Sequence, residues 1–401
     1  MKILHTADWH IGKKLHNYEL AEDFDRFIEW LCGCVQEKQI DVLLVSGDCF
    51  DLANPSSAAR NQYYQSLVKL KKHVNQIVIT GGNHDSPAVL NAPKELLKAL
   101  NFDVVGGLPN NIEEALIPLK NLEGKTEAVV AAIPFLRNPD LRKDGLPIKT
   151  YEERLEALRL GITEVFHRAA ESCKKNYPEI PALAMGHLFA AGIDPSDSER
   201  DIQIGNQASF QASAFDGYFK YVALGHIHKP QRVSAEQPVF YSGSPLPLSF
   251  SERKDEKRVL ILDTEKNWEP KSVAIPSFRK LIKIAGDFNV LETKLLTLSE
   301  NKGLDNLIEL ELREKDYQAK RIHDLEELVS NFQQSGYQIV KHRAKFDNQL
   351  SGTGEIFEEQ VSLEELKPQK VFTELLDRND FSEKEHRELE AAFLELLEES
   401  E

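Results

Sequence analysis

The 401-residue sequence has few cysteines and no long apolar run, and each absence excludes a class of protein. Its four cysteines are Cys32, Cys34, Cys49 and Cys173, and no two of them form a C-x-x-C pair, which excludes a disulfide framework. No stretch of roughly 18 apolar residues occurs, so no membrane span is predicted. The pattern G-x-x-x-x-G-K-[ST] is also missing, so an ATPase activity would require another polypeptide.

The first residues leave no room for a signal peptide. Residues 1–5 predict a strand that leads directly to a motif at Asp8, whereas a signal peptide needs an apolar stretch and a cleavage site. We therefore expect a cytoplasmic protein whose cysteines stay reduced and pack in the core.

Basic residues are outnumbered by acidic ones, with 49 lysines and arginines against 65 aspartates and glutamates. The net charge is −16, and residues 351–401 alone contain 16 acidic and 5 basic residues. Affinity for duplexes comes largely from lysines and arginines that displace counterions, so this composition argues against a DNA substrate. Bound metal ions or a basic partner subunit could supply the missing positive charge.

The length predicts two or three domains, and the pattern changes along the chain. Strand and helix signals alternate over about the first 270 residues, which predicts an α/β sandwich with helices covering the sheets. The predicted helices lie at about 19–38, 56–74 and 88–100, and the predicted strands at 41–45, 76–80, 128–133, 182–185, 220–224, 239–241 and 258–263.

Beyond Pro276 the pattern predicts a second, smaller unit over 280–346. Its order is strand, helix, strand, helix, strand, with strands near 281–285, 306–312 and 337–345. A linker is predicted at 347–362, followed by two amphipathic helices near 368–378 and 382–399. The apolar stripes of these helices need a surface to cover them, which favours a partner helix.

Five short polar motifs follow apolar strands. Parallel strands of an α/β sheet present ligands at their carboxyl ends, and glycines there allow the backbone to turn sharply. Five of the twelve histidines lie in these motifs. The motifs are Asp8-Trp9-His10, Gly47-Asp48, Gly82-Asn83-His84-Asp85, Gly186-His187 and Gly225-His226-Ile227-His228.

The residue types of these motifs suit a pair of divalent metal ions. Carboxylates and imidazoles bind manganese, iron or zinc, and no thiolate is needed, so Cys49 is interpreted as a packing residue. Two such ions can hold a phosphate and activate a water molecule for in-line attack.

Together and in this order, the five motifs resemble those of the calcineurin-like metallophosphoesterases. The resemblance implies that Asp8, His10, Asp48 and His228 bind one metal ion, while Asp48, Asn83, His187 and His226 bind the other, with Asp48 bridging. It implies that His84 lies over the phosphate and stabilises charge or protonates the leaving oxygen. Asp85 is expected to orient His84.

A narrower resemblance is to the SbcD family of nuclease subunits. It is carried by residues 3–12, 81–86 and 225–247, and extends over about 1–275. It implies two Mn²⁺ ions, DNA as substrate, a homodimer through helices of the first domain, an SbcC-type ATPase partner, and a role in DNA repair and recombination. The implied organisation is a nuclease domain (1–275), a small α/β cap domain (280–346) and C-terminal helices (363–401) that dock on the partner's coiled coil.

Two other functions stay open. A stand-alone phosphodiesterase for small substrates would have the same metal chemistry, although the roughly 120 residues after the core speak against it. A non-catalytic assembly module would not need the intact ligand set.

Several residues near the motifs have competing interpretations. Lys13, Lys14 and Arg60 could contact a DNA backbone, but ordinary surface positions are preferred. Phe189 could stack on a base, and His5 could reach the site, but both are interpreted as core residues. Asp51 stands where some members of the family carry a histidine, so that histidine's role is not transferred.

Overall fold

The computed structural model describes residues 1–121, 123–141, 151–190, 210–301 and 303–347, and six helical residues beyond them: Phe372, Leu376, His386, Leu389, Ala392 and Phe393. These form two compact units. Unit 1 comprises Met1–Lys13 and Glu19–Pro276, and unit 2 comprises Lys14–Tyr18 and the chain from Ser277. The predicted linker and C-terminal helices lie outside the described residues, apart from Asp347 and these six positions.

Unit 1 is built on two six-stranded mixed sheets. The strands up to the end of unit 1 are β1 (Lys2–Thr6), β2 (Lys14–Leu15), β3 (Tyr18–Glu19), β4 (Val42–Ser46), β5 (Gln76–Thr80), β6 (Phe102–Val105), β7 (Leu116–Lys120), β8 (Thr126–Ala132), β9 (Ala182–His187), β10 (Val222–Gly225), β11 (Gln231–Arg232), β12 (Val239–Tyr241), β13 (Arg258–Asp263) and β14 (Lys271–Ala274).

The first sheet has the order β14-β13-β1-β4-β5-β6, and its strands β1, β4, β5 and β6 are parallel. The second has the order β11-β12-β10-β9-β8-β7, with β12, β10, β9 and β8 parallel. Antiparallel strands lie only at the borders of the parallel sets. All parallel strands that carry motifs therefore end on the same side of their sheet.

The two sheets pack face to face around one apolar core. Strands β4 and β5 are buried along their whole length, as expected for sheets covered on both faces. The core includes Val42, Leu44 and Val78 from the first sheet, and Val130 and Val222 from the second. The hydroxyl of Ser46 donates a hydrogen bond across to the carbonyl of Ala223 at 3.1 Å. The predicted sandwich is confirmed.

Helices cover the sheets of unit 1. In α1, apolar residues at helical spacing, such as Phe24, Phe27 and Leu31, are buried. In α6, Phe166 and Ala170 belong to the core cluster. The helices are α1 (Ala21–Lys38), α2 (Ser57–Lys71), α3 (Pro87–Asn91), α4 (Lys94–Lys98), α5 (Asn138–Leu141) and α6 (Tyr151–Asn176), with 3-10 turns at Ile112–Ala115, Ala212–Ala214 and Phe250–Lys254.

Two differences from the predicted elements have physical causes. The single helix predicted over 88–100 is wrong, because Pro93, which has no N–H to donate, precedes a new helix, α4. The 26-residue helix α6 was not predicted. Gly161 in its middle is a poor helix former, but a side chain there would come within 3.0 Å of the carbonyl oxygen of Leu141.

Unit 2 contains a parallel three-stranded sheet with helices on one face. The observed order of strand, helix, strand, helix, strand matches the prediction for 280–346. Ile284, Leu310 and Leu325 lie in its apolar core. The elements are β15 (Leu281–Gly286), α7 (Phe288–Leu296), β16 (Asn306–Glu314), α8 (Ala319–Asn331) and β17 (Tyr337–Phe346).

Among the described residues, no helix combines the length and apolar character that crossing a bilayer demands.

Candidate metal centre

The five motifs meet at one end of the sandwich in unit 1. They lie at or just after the carboxyl ends of β1, β4, β5, β9 and β10. Four of the predicted ligands have positive φ: Asp8 (55°), His10 (46°), Asp48 (50°) and His226 (97°). Such backbone strain in non-glycine residues is concentrated at functional sites.

Backbone hydrogen bonds hold the loops after β1 and β4 together. The N–H groups of Asp8 and His10 donate to the carbonyls of Gly47 (3.1 Å) and Asp48 (3.0 Å). A glycine is required at position 47, because its φ is 82° and a Cβ would lie 2.2 Å from Nδ1 of His187. The loops are therefore packed backbone to backbone around the acidic side chains.

Each of the two aspartates uses one oxygen for a neighbouring loop. Oδ1 of Asp8 accepts from the N–H of His226 at 2.8 Å, and Oδ1 of Asp48 accepts from the N–H of His84 at 2.9 Å. The other oxygen of Asp48 lies 3.5 Å from Nε2 of His10 and 3.3 Å from Nε2 of His187. Asp48 thus lies between the two groups of predicted ligands.

Asp8, His10 and His228 form the first group, with ligating atoms within 4.8 Å of one another. The Nε2 atoms of His10 and His228 are 3.2 Å apart. Each Nδ1 faces a carboxylate: Asp51 at 3.2 Å from His10, and Glu252 at 3.5 Å from His228. Carboxylates accept hydrogen bonds, so the proton belongs on Nδ1 and both Nε2 lone pairs point into the site.

The second group brings His187, His226 and Asn83 together with the aspartates. Nε2 of His187 and Nδ1 of His226 lie 2.9 Å and 3.3 Å from Oδ1 of Asn83. Nδ1 of His187 donates to the carbonyl of Ser46 at 3.0 Å. The second nitrogen of His187 therefore faces only acceptor oxygens, a position that calls for a cation or a proton.

The pKa values of the cluster also indicate that its buried carboxylates need a positive charge nearby. Burial, with the charge of Asp48, raises the pKa of Asp8 to about 7. Burial would lower the pKa of His187, but Asp48 and Asp8 raise it to about 9. Burial lowers the pKa of His228 to about 4, so its imidazole is neutral. The metal-free cluster thus favours a proton on His187, where it offsets the buried carboxylates.

The residues present fit divalent metal ions. Oδ2 of Asp8 and Nε2 of His226 are buried without a hydrogen-bond partner, which is costly unless an ion occupies the cluster. The donors are carboxylate, amide and imidazole groups, which suit borderline transition metals. Burial raises the pKa of Cys49 well above its usual value, so its thiol stays protonated and the packing interpretation is confirmed. The assignment of individual ligands stays a prediction.

His84 and Asp85 lie beside these groups, but their relationship differs from the expected one. Nδ1 of His84 lies 2.8 Å from the carbonyl oxygen of Asp51, to which it donates. The carboxylate of Asp85 accepts from the backbone N–H groups of Cys49 (3.0 Å), Phe50 (2.9 Å) and Gly82 (2.9 Å). Asp85 therefore ties two loops together, and the Asp51 carbonyl accepts from the His84 imidazole.

Two carboxylates that face predicted ligand histidines, Asp51 beside His10 and Glu252 beside His228, were not among the predicted site residues. Asp51 was noted only as a departure from a family pattern, yet it faces His10 and also pairs with Lys13 at 3.1 Å. Glu252 had no motif to mark it. His5 is a buried histidine that hydrogen-bonds to the hydroxyl of Tyr221 at 3.0 Å, as expected.

Phe189 and Arg60, which could contact nucleic acid, both have neighbours within unit 1. Phe189 is half-buried against the core, with its ring centroid 6.5 Å from that of His226. Arg60 donates to the side-chain oxygen of Asn54 at 3.0 Å.

Two family profiles match the chain. The calcineurin-like phosphoesterase profile matches residues 1–230, which contain all five motifs. A second profile, described as the type 5 capsule protein repressor C-terminal domain, matches residues 277–380.

Three relatives of the chain share one name, that of the SbcD subunit of the nuclease SbcCD. The Escherichia coli protein is 29% identical over 99% of this chain and 98% of its own length. The Bacillus subtilis protein is 30% identical over 91% of both chains, and the Rhodobacter capsulatus protein 37% over 69% of both. With the metal-binding chemistry of its motif cluster, the chain belongs to the calcineurin-like phosphoesterases, within the SbcD family of nuclease subunits.

Proposed function

We propose that this chain is the DNA-cleaving subunit of a nuclease–ATPase pair and that it hydrolyses phosphodiester bonds with two divalent metal ions. The observation that carries the proposal is the buried cluster in unit 1, where carboxylates and imidazoles face one another and Asp8 and His226 each keep an unpartnered atom. The name shared by the relatives extends the proposal from phosphoesters in general to nucleic acid.

In this proposal Asp8, His10, Asp48 and His228 hold one ion, and Asp48, Asn83, His187 and His226 hold the other. When bound, the ions would neutralise phosphate charge and supply an activated water at neutral pH. The chain's own contribution is to present neutral imidazole nitrogens and carboxylate oxygens in fixed directions. Manganese is the proposed metal, because the resemblance to the SbcD family implies it and because oxygen and imidazole donors without a thiolate suit it, as they also suit iron or zinc.

His84 is the proposed catalytic residue that touches the substrate. Its exposed fraction is 4%, and its Nδ1 donates to the Asp51 carbonyl, which orients the ring. With a second proton, on Nε2, His84 would stabilise charge on the phosphate or give that proton to the leaving oxygen. Asp85 is proposed as a positioning residue that keeps the loops of Asp48 and His84 in contact.

The proposed activities are double-strand 3′-to-5′ exonuclease and single-strand or hairpin endonuclease cleavage, coupled to an SbcC-type ATPase in DNA repair and recombination. The partner would supply the positive surface that this acidic chain has little of. A homodimer through α2 is proposed as well, because Tyr64 and Val68 lie one turn apart on it with exposed fractions of 37% and 56%. Four unpaired thiols fit a cytoplasmic location.

The test is manganese-dependent cleavage of end-labelled duplex and hairpin DNA, measured beside a cyclic dinucleotide and p-nitrophenyl phosphate esters. The assay is run with and without an SbcC-type ATPase, and His84→Ala serves as the blank. We expect DNA cleavage that is lost in the variant. Turnover of small esters alone, unchanged by the ATPase, would replace this proposal by a stand-alone phosphodiesterase, and no turnover at all would favour an assembly module.

A further inference from the structure

A buried ion pair lies beside the first ligand group but outside every motif. Glu252 and Lys257 have exposed fractions of 1% and 6%, and Nζ of Lys257 lies 2.5 Å from Oε2 of Glu252. Burying such a pair costs desolvation energy that its attraction does not reliably offset. Stability alone is therefore a weak reason for its presence, and its contacts point to another one.

The carboxylate of the pair faces the imidazole of His228. Oε1 of Glu252 lies 3.5 Å from Nδ1 of His228. Oε2 accepts hydrogen bonds from Nζ of Lys257 and, at 3.2 Å, from the backbone N–H of Leu248. With an acceptor opposite Nδ1, the proton stays on that nitrogen. The lone pair of Nε2 is then directed at the predicted metal position, where Nε2 of His10 lies 3.2 Å away.

The lysine holds the backbone of the same histidine. Nζ of Lys257 donates to the carbonyl oxygen of His228 at 3.0 Å and to the hydroxyl of Ser244 at 2.9 Å. The N–H of Ser244 donates to that carbonyl as well, at 3.1 Å. Together with Glu252, these acceptors satisfy all three N–H bonds of the Lys257 ammonium group. Glu252 therefore contacts the side chain of His228, and Lys257 contacts its main chain.

This arrangement explains a segment that the metal ligands leave without a role. Gly243 has a φ of 78°, and a Cβ on it would lie 2.7 Å from the carbonyl oxygen of His228. Only glycine allows the segment 243–247 to approach His228 this closely. Ser244, Leu246 and Leu248 are buried there, and the hydroxyl of Ser244 donates to the carbonyl of Leu246 at 2.8 Å.

We propose that Glu252 and Lys257 are positioning residues that fix the orientation and tautomer of His228 for metal binding, with the Gly243–Ser244 segment as their frame. The inference rests on the proposed two-metal site. Groups behind ligating histidines commonly raise metal affinity about 10- to 100-fold. Glu252 would do so for one of the two ions and leave the other largely unaffected.

The choice of variants separates this role from that of a structural ion pair. Glu252→Gln removes the carboxylate but leaves Lys257 buried without its counterion. The double variant Glu252→Gln/Lys257→Met removes both charges, so it leaves no uncompensated charge. Glu311→Gln is the matched control, since Glu311 is equally buried and ion-paired but lies in unit 2, which contains no predicted ligand.

The experiment titrates the metal-free full-length chain with Mn²⁺ by calorimetry and records the visible spectrum of its Co²⁺ form. We expect two ions in the wild type and in Glu311→Gln. In both Glu252 variants one of the two sites should bind about 10- to 100-fold more weakly, with an altered Co²⁺ spectrum. The unfolding midpoint of the metal-free double variant should stay close to that of the wild type.

Wild-type affinity for both ions in the two Glu252 variants would overturn the inference. So would full recovery of affinity in the double variant after a loss in Glu252→Gln, because the pair would then be only structural. If Glu252→Gln does not fold, the double variant alone decides between these outcomes. A wild type that binds no Mn²⁺ would instead contradict the proposed function.

Discussion

The glutamates on β16 of unit 2 and the two aspartates of the motif cluster in unit 1 are buried in opposite ways. In unit 2, Glu309 and Glu311 on β16 lie beneath basic side chains of the sheet: Nζ of Lys283 lies 3.5 Å and 3.1 Å from their oxygens, and Nε of Arg343 lies 2.9 Å from Glu311. In unit 1, among the described residues, Asp8 and Asp48 form ion pairs with histidines alone.

The difference distinguishes a self-sufficient charge cluster from one that needs a ligand. The glutamates of unit 2 have resident cations, so their burial is compensated within the chain. The aspartates of unit 1 face imidazoles, of which that of His187 favours a proton, and Oδ2 of Asp8 has no hydrogen-bond partner, so a bound cation would complete the compensation. Substitutions in the two clusters should therefore have different consequences.

The largest expected effect is on activity, and it belongs to unit 1. His84→Ala should slow phosphodiester cleavage by about 10²- to 10⁴-fold, because a positioned acid or electrostatic group is lost. Mn²⁺ binding should stay near normal, since His84 is not a predicted ligand. Steady-state rates and calorimetric titration check this. His73→Ala, at an exposed histidine of the same unit, is the control and should retain full activity. Loss of metal binding in His84→Ala would remove the proposed catalytic role.

A second expectation concerns stability, and its sign differs between the units. In the presence of a chelator, Glu311→Gln should lower the free energy of unfolding by about 1–3 kcal/mol, because arginine and lysine lose a charged partner. Asp8→Asn should raise it by about 1 kcal/mol, because one of two adjacent buried carboxylates is removed while an acceptor for the His226 N–H remains. Thermal unfolding of both metal-free variants tests this, and destabilisation of both would end the contrast.

The smallest effect is a dependence on pH within unit 2. Burial opposes ionisation of Glu311, but hydrogen bonds from Arg343, Arg313 and Lys283 lower its pKa from 4.5 to about 2. Because the pKa of Glu311 is lower in the folded chain than in the unfolded chain, its ionised carboxylate stabilises the folded state fully above pH 4.5. This contribution is lost as the pH falls towards 2. The stability gap between wild type and Glu311→Gln should thus shrink over that range. A gap that is constant with pH would show that the ion pairs contribute little.

Much of the site was predictable because its residues follow strands in recognisable groups. Asp8, Asp48, Asn83, His187 and His226 each stand beside a glycine or at the end of an apolar run, and the parallel order of the strands brings them together. The alternation of apolar runs was also sufficient for the sandwich and for the sheet of unit 2.

What the sequence could not reveal depends on contacts between distant segments. Glu252 reaches His228 only because the chain returns through β12 and a 3-10 turn, and no spacing rule connects the two. The acceptor for Nδ1 of His84 is a main-chain carbonyl, which carries no side-chain signature. The exposed edge strand β14, Lys271–Ala274, has too few apolar residues to signal a strand.

The central claim is that the cluster of unit 1 requires two divalent cations. Crystals of the full chain grown with Mn²⁺, measured at the manganese absorption edge, test it most directly. We predict two anomalous peaks, one beside His10 and His228 and one beside His187 and His226, with Asp48 adjacent to both. Absence of peaks there, or a peak only at the exposed group of His167, Glu171 and Asp216, would contradict the account.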